Sequence, residues 1–200
     1  MTRLFTLILA ALLSLGAGAA DTAKGVLDKT AKKLSSYPSC QAQFTATMNG
    51  RGTSGSITIQ GRKFVAVMPE TTVWFDGVTM WTLIKSTNEV NVTTPTAAEL
   101  QRMNPYYFLN LYKSGYDLSL ATRGGQHVVS LKATKKQSMK SMEVSVDKST
   151  YLPTSVVMTS QRGSQTTVSI SNIKKGKKAP DATFRFNKKD HPKAQVIDLR

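Results

Sequence analysis

Residues 40–60 read CQAQFTATMNGRGTSGSITIQ, and the period of this stretch decides the fold. Cys40, Ala42, Phe44, Ala46 and Met48 fall on one face, and Gln41, Gln43, Thr45, Thr47 and Asn49 on the other. Alternation with period two is the signature of a strand that is apolar on one side and wet on the other. Asn49-Gly50 then marks a turn, and Gly55 to Gln60 resumes the extended pattern.

Downstream, short strands recur at the roughly 8–12 residue spacing of an antiparallel meander. They are expected near Lys63–Met68, Thr72–Phe75, Thr79–Ile84 and Glu89–Thr93. After an interruption they resume near Tyr116–Ala121, His127–Ala133, Ser141–Asp147, Thr154–Ser160 and Thr166–Ile173, with a last pair near Thr183–Phe186 and Gln195–Leu199. Around a dozen strands of this kind suggest one large curved sheet. Upstream, Asp21–Ser36 places Ala23, Val26 or Leu27, Thr30 or Ala31 and Leu34 at helical spacing, closed by Pro38. That is one amphipathic helix.

The interruption reads as two short helices. Thr96-x-x-Glu99 has capping-box form, and Asn104-Pro105 sets a cap residue before a proline at the first helical position. The second helix, Pro105–Lys113, is apolar around most of its circumference and must be covered on nearly all sides; the hollow of a curved sheet would do so.

Register can be argued for one hairpin. Whether the loop at Asp76-Gly77 holds two or four residues, antiparallel partners sum to an odd number, which puts Trp74 and Trp81 on one face. Val73, Phe75, Met80 and Ile84 take the other. With both faces apolar, the hairpin either borders a cavity or is an ordinary core hairpin buried on both sides.

Arg3, the apolar run Leu4–Leu15 and the small residues Gly16–Ala20 make the three parts of a secretory signal peptide, with cleavage expected near Ala20. The alternative, a membrane anchor, is disfavoured because about twelve apolar residues are fewer than the roughly 20 needed to span a bilayer. About 180 residues would remain (21–200), enough for a single domain with its own core. Cys40 is the only cysteine, so no internal disulfide can form, which suits a bacterial periplasm. The formal charge is +15, and losing Arg3 leaves +14. Lysines gather at Lys132–Lys140, Lys174–Lys178 and Lys188-Lys189. They serve either as a solubilising surface or as attraction to an anionic membrane face. Nucleic acid is not expected as a partner, since an exported chain rarely meets it and these clusters lack the interleaved aromatics that would stack bases.

Catalytic constellations are missing. The two histidines, His127 and His191, have no motif-bearing serine to complete a triad, and neither a zinc signature nor a phosphate-binding loop occurs. A carboxylate pair such as Glu89 with Glu99 has no recognisable glycosidase context. No catalytic residue, metal or cofactor is expected. Seven methionines from Met48 to Met158 are spread over strands and the helical insert. Thioethers suit a pocket that adapts to varied acyl chains, and they also fill ordinary cores.

Several segments together resemble the periplasmic outer-membrane lipoprotein carrier family (LolA-like proteins), most closely its Bacteroidetes-type members. They are Gly55-Ser56-Ile57-Thr58-Ile59 leading to Lys63-Phe64, Trp74-Phe75-Asp76-Gly77 with Met80-Trp81, and Thr87-Asn88-Glu89-Val90-Asn91-Val92. Pro95-Thr96-x-x-Glu99-Leu100, Asn104-Pro105-Tyr106-x-Phe108-Leu109, Gly115-Tyr116, Phe184-Arg185-Phe186 and Val196-Ile197-Asp198 complete the set. The resemblance implies an α+β fold, an unclosed antiparallel β half-barrel of about eleven strands whose concave apolar face is covered by short helices. It implies a non-enzymatic, monomeric periplasmic carrier that shields acyl chains between inner and outer membrane. Its partners would be acylated lipoproteins or lipids, an inner-membrane lipoprotein-releasing transporter and an outer-membrane acceptor, with transient membrane contact. An envelope lipid sensor or interaction module on the same half-barrel is the alternative.

Phe64 matches an aromatic that lines the family's cavity. Phe44, Ile57, Ile59, Met68, Val73, Phe75, Met80 and Trp81 are expected to line it too, with Phe108, Leu109, Leu111 and Tyr112 as the lid. The chain departs from the pattern where proteobacterial members carry Arg-Pro about four residues before that aromatic. Here Gln60-Gly61 stands instead.

Overall fold

A computed structural model describes residues 21–97, 99–100, 112–135, 137 and 139–200. Helix α1 (Ala23–Ser35) starts where Thr22 Oγ1 accepts the Gly25 N–H at 3.0 Å and buries Ala23, Val26, Leu27, Thr30 and Leu34. Lys32 and Lys33 sit in its last turn, where cations complement the helix dipole.

The chain then makes two meanders. The first is β1 (Ser39–Met48), β2 (Arg51–Gln60), β3 (Lys63–Val67), β4 (Thr71–Phe75), β5 (Met80–Ile84) and β6 (Glu89–Thr93). The second is β7 (Tyr116–Arg123), β8 (Gln126–Ala133), β9 (Met139–Asp147), β10 (Pro153–Ser160) and β11 (Gln165–Gly176). The meanders join where β11 pairs antiparallel with β1, and β12 (Gln195–Asp198) flanks β6. Among the described residues one sheet of twelve strands results, ordered β12-β6-β5-β4-β3-β2-β1-β11-β10-β9-β8-β7, and its two edges do not meet.

Register carries a single apolar face across this sheet. From one end it runs through Leu131, Met142 and Met158, crosses β11 and β1 at Ile170–Phe44, and continues through Ile57, Ala66, Val73, Phe75 and Met80. These residues belong to one buried cluster together with α1, which lies over the β7–β8 end.

Trp74 pairs with Trp81 and Phe75 with Met80, as the parity of the hairpin requires. The tryptophans lie on the outer face. There they join Leu83, Val90, Ala194 and Phe186 in a second apolar cluster, so β4–β6 are buried on both sides. The cover is the C-terminal segment, which differs from expectation in two ways. Thr183–Phe186 is no strand: Asp181–Phe184 forms a 3₁₀ turn, closed by the Thr183 N–H on the Pro180 carbonyl, and inserts Phe184 with no exposure. β12 runs parallel to β6, because the chain returns to the sheet by a crossover rather than a tight hairpin.

Two polar tethers fix α1. Asp21 accepts hydrogen bonds from Lys29 Nζ (2.6 Å) and from the Tyr151 hydroxyl (2.9 Å), with His127 Nε2 at 3.2 Å. Lys29 first and Tyr151 second hold its carboxyl below the usual range. Farther along, the Tyr112 phenol donates to Asp28 Oδ1 at 2.5 Å; burial first and this hydrogen bond second push it up to about 12.

Candidate functional site

Over the middle of the apolar face, six neighbouring strands leave a cavity of about 220 Å3. β1 supplies Phe44 and Ala46, β2 supplies Ile57 and Thr53, β3 and its end supply Phe64, Ala66 and Met68, and β4 supplies Val73. Met158 of β10 with Thr166 and Val168 of β11 complete the wall. Phe64 and Val73 are fully buried at the inner end, whereas Thr53 is exposed and Thr166 half-buried at the other, which makes the threonine end the mouth.

Room for the cavity depends on Gly55. It lies opposite Phe44, and a Cβ there would meet the Val67 carbonyl oxygen at 2.3 Å and Phe44 Cζ at 3.1 Å. A glycine lets the ring approach the backbone of β2 closely.

No titratable side chain is among the described lining residues. Such a wall offers contact to hydrocarbon and little else. It cannot hold a charge or deliver a proton, and among the described residues no cluster of three or more candidate metal ligands occurs. No described helix is long and apolar enough to cross a membrane.

Of the expected lining residues, Phe44, Ile57, Phe64, Met68 and Val73 line this cavity. Ile59, Phe75 and Met80 share its face and fill the adjoining core, with the Phe64 and Phe75 rings 5.4 Å apart. Trp81 does not belong with them: pairing with Trp74 turns it to the outer cluster. Tyr112 is buried against α1 through its bond to Asp28; Phe108, Leu109 and Leu111 lie outside the described residues. The expected capping box closes: Thr96 N–H donates to Glu99 Oε2 at 2.7 Å, and Glu99 N–H to Thr96 Oγ1 at 3.3 Å.

Sequence reasoning missed Ala46, Thr53, Ala66, Met158, Thr166 and Val168. Ala46 and Ala66 were signalled by alternation with Phe44 and Phe64. The residues of β10 and β11 were not, because they reach the cavity only through the pairing of β11 with β1, whose residues lie more than a hundred positions apart.

At the departure noted above, Gln60 ties down the C-terminal segment: its Nε2 donates to the Ala179 carbonyl (3.2 Å) and its Oε1 accepts the Ala179 N–H (2.8 Å). His191 stacks on Phe186 (5.5 Å) and meets the edge of Trp74 (5.7 Å), while His127 holds Asp21.

Residues 13–163 match the family described as "Outer membrane lipoprotein carrier protein LolA". No curated protein matches the chain at a significant level. An uncharacterized conserved protein from Thermus thermophilus is similar in fold, with TM-score 0.60 at 16% identity over 88% of this chain and 98% of that one. A LolA superfamily protein from Nitrosomonas europaea gives TM-score 0.45 at 12% identity, covering 84% of this chain and 99% of that one. The MucA/MucB complex of Pseudomonas aeruginosa gives TM-score 0.46 at 16% identity, covering 82% and 61%.

Proposed function

The chain belongs to the outer membrane lipoprotein carrier protein LolA family, and from that premise we propose that it shields the acyl chains of lipoproteins or lipids during their passage between membranes. Members of this family are binding or carrier proteins rather than enzymes, and are periplasmic or envelope-associated. The chain is accordingly a lipoprotein-binding or carrier-type module. The finer reading has a signal peptide removed near Ala20 and a monomer that takes cargo from an inner-membrane lipoprotein-releasing transporter and yields it to an outer-membrane acceptor.

The observation that carries this reading is the uncharged cavity at the centre of the sheet. At about 220 Å3 it falls below the roughly 300–1,000 Å3 of pockets for drug-sized ligands. A slender chain segment suits it. Each buried methylene contributes about 0.8 kcal/mol, so some eight to ten give on the order of 6–8 kcal/mol, before the cost of association. That places affinity near the micromolar range or weaker, which lets cargo leave again.

Phe64 is 1% exposed, so a carboxylate there would burden folding as well as binding. Phe44, half-buried on the same wall, separates the two effects. Phe44→Glu should lower binding of a fluorescent fatty acid by at least about tenfold, or about 1.4 kcal/mol, while Phe44→Leu retains it. Ala46→Phe, which occupies the space without adding charge, should lower it too. A folded Phe44→Glu protein that binds like the parent would end the carrier reading.

A further inference from the structure

The face of the sheet opposite the cavity is not uniform. Under the C-terminal segment it is apolar, but across β8, β9, β10 and β11 it forms an open hollow of about 1,000 Å3. Register lays two rows over its floor: Ser130, Glu143, Val157 and Thr167, then Lys132, Ser141, Thr159 and Gln165. Lys135 and Lys140 stand at the rim. Alternation means that neighbours on β10 and β11 serve both sites: Met158 and Val168 line the cavity, while Thr159 and Thr167 line the groove.

Its chemistry is one-sided. The ammonium groups of Lys132, Lys135 and Lys140 make no ion pair, and the hydroxyls of Ser130, Ser141, Thr159 and Thr167 no hydrogen bond, with any described residue. Glu143, the one carboxylate among the described residues lining the groove, is already engaged by Arg123 at 3.5 Å. Donors without a partner among the described residues, and an excess of positive charge, complement a ligand rich in acceptors and negatively charged. We infer that this groove docks an extended acidic polypeptide segment of a partner protein.

Shape selects a polypeptide over a bilayer. Four strands about 4.8 Å apart span about 15 Å, the length of some four or five extended residues at about 3.3 Å each. A flat membrane surface would meet the rim lysines and leave the floor hydroxyls of Thr159 and Thr167 unused. An extended chain enters the hollow, sets its carboxylates against the lysines and offers its backbone carbonyls to the hydroxyls. The site is independent of the acyl-chain reading, since no charged residue of the groove lines the cavity.

The probe is a short fluorescein-labelled peptide of alternating Glu and Ser, followed by anisotropy on the full chain at low and at physiological salt. The variant Lys132→Glu/Lys135→Glu/Lys140→Glu should lose at least about tenfold in affinity and leave fatty-acid binding unchanged. An equal change of net charge elsewhere, Lys174→Glu/Lys175→Glu/Lys177→Glu, should cost at most about twofold, since exposed charges beyond about 10 Å are screened. Replacing the three groove lysines by Gln gives the same reading should charge reversal impair folding. Equal losses in the groove and control variants would reduce the effect to bulk charge and overturn the inference. So would a parent chain that ignores the peptide, or one that binds equimolar phosphatidylcholine–phosphatidylglycerol vesicles through these three lysines in preference to it.

Discussion

Phe44 and Gly55 show how one pair of residues shapes the cavity. The ring needs a neighbour without a side chain, because the position of a Gly55 Cβ is taken by the Val67 carbonyl oxygen 2.3 Å away. Gly55→Ala must therefore push β2 from the end of β3, at an overpacking cost of about 1–3 kcal/mol in urea unfolding, with weaker fatty-acid binding as Phe44 shifts. Asp147 is a second case. Ser149 and Thr150 donate to its Oδ1 and hold its carboxyl down to about 2, shaping the β9–β10 turn. A depressed carboxylate stabilises the fold fully above its unfolded pKa near 3.9 and loses that contribution as pH falls toward about 2. Acid titration of the parent should show this loss of stability between those values, and the Asp147→Ala protein should show less of it.

At the scale of elements, the hairpin of β4 and β5 is the informative one, since its two faces serve different neighbours. Both tryptophans of the chain, Trp74 and Trp81, point outward to the C-terminal segment rather than to the cavity. Tryptophan emission should thus respond little to a fatty acid, yet shift to the red when the chain is cut after Arg185, which removes Phe186, His191, Ala194 and β12. A large ligand-induced change in the full chain would contradict this placement. Helix α1 depends on its cap as well as its face. Thr22→Ala deprives the Gly25 N–H of its acceptor and should cost about 1 kcal/mol in chemical denaturation.

For the whole molecule, an unclosed sheet leaves a hollow that α1 covers at the β7–β8 end and that the proposed acyl chain would enter at its middle. Anything that binds only the folded chain raises its stability by mass action. Fatty acid at about a hundred times its dissociation constant should add roughly 2.7 kcal/mol to unfolding, and Phe44→Glu, binding at least about tenfold more weakly, should cut the gain at that concentration to about 1.4 kcal/mol or less. Thermal melts with and without palmitate read this directly.

Local order was legible from residue periods alone. Alternation in Cys40–Met48, the helical spacing of Ala23 to Leu34, the capping box at Thr96 and the parity that sets Trp74 against Trp81 are all short-range, and the structure repeats them. Resemblance to the carrier family supplied the architecture and pointed to Phe64. The rest required distant segments to meet. Which wall of the β4–β5 hairpin faced the cavity depended on the C-terminal cover over Trp81, and the contribution of Met158, Thr166 and Val168 depended on β11 pairing with β1. A strand's period tells which residues share a face, because that follows from backbone geometry. Which face turns inward, and what lies beside it, is set by long-range pairing and burial, and those belong to the folded chain as a whole.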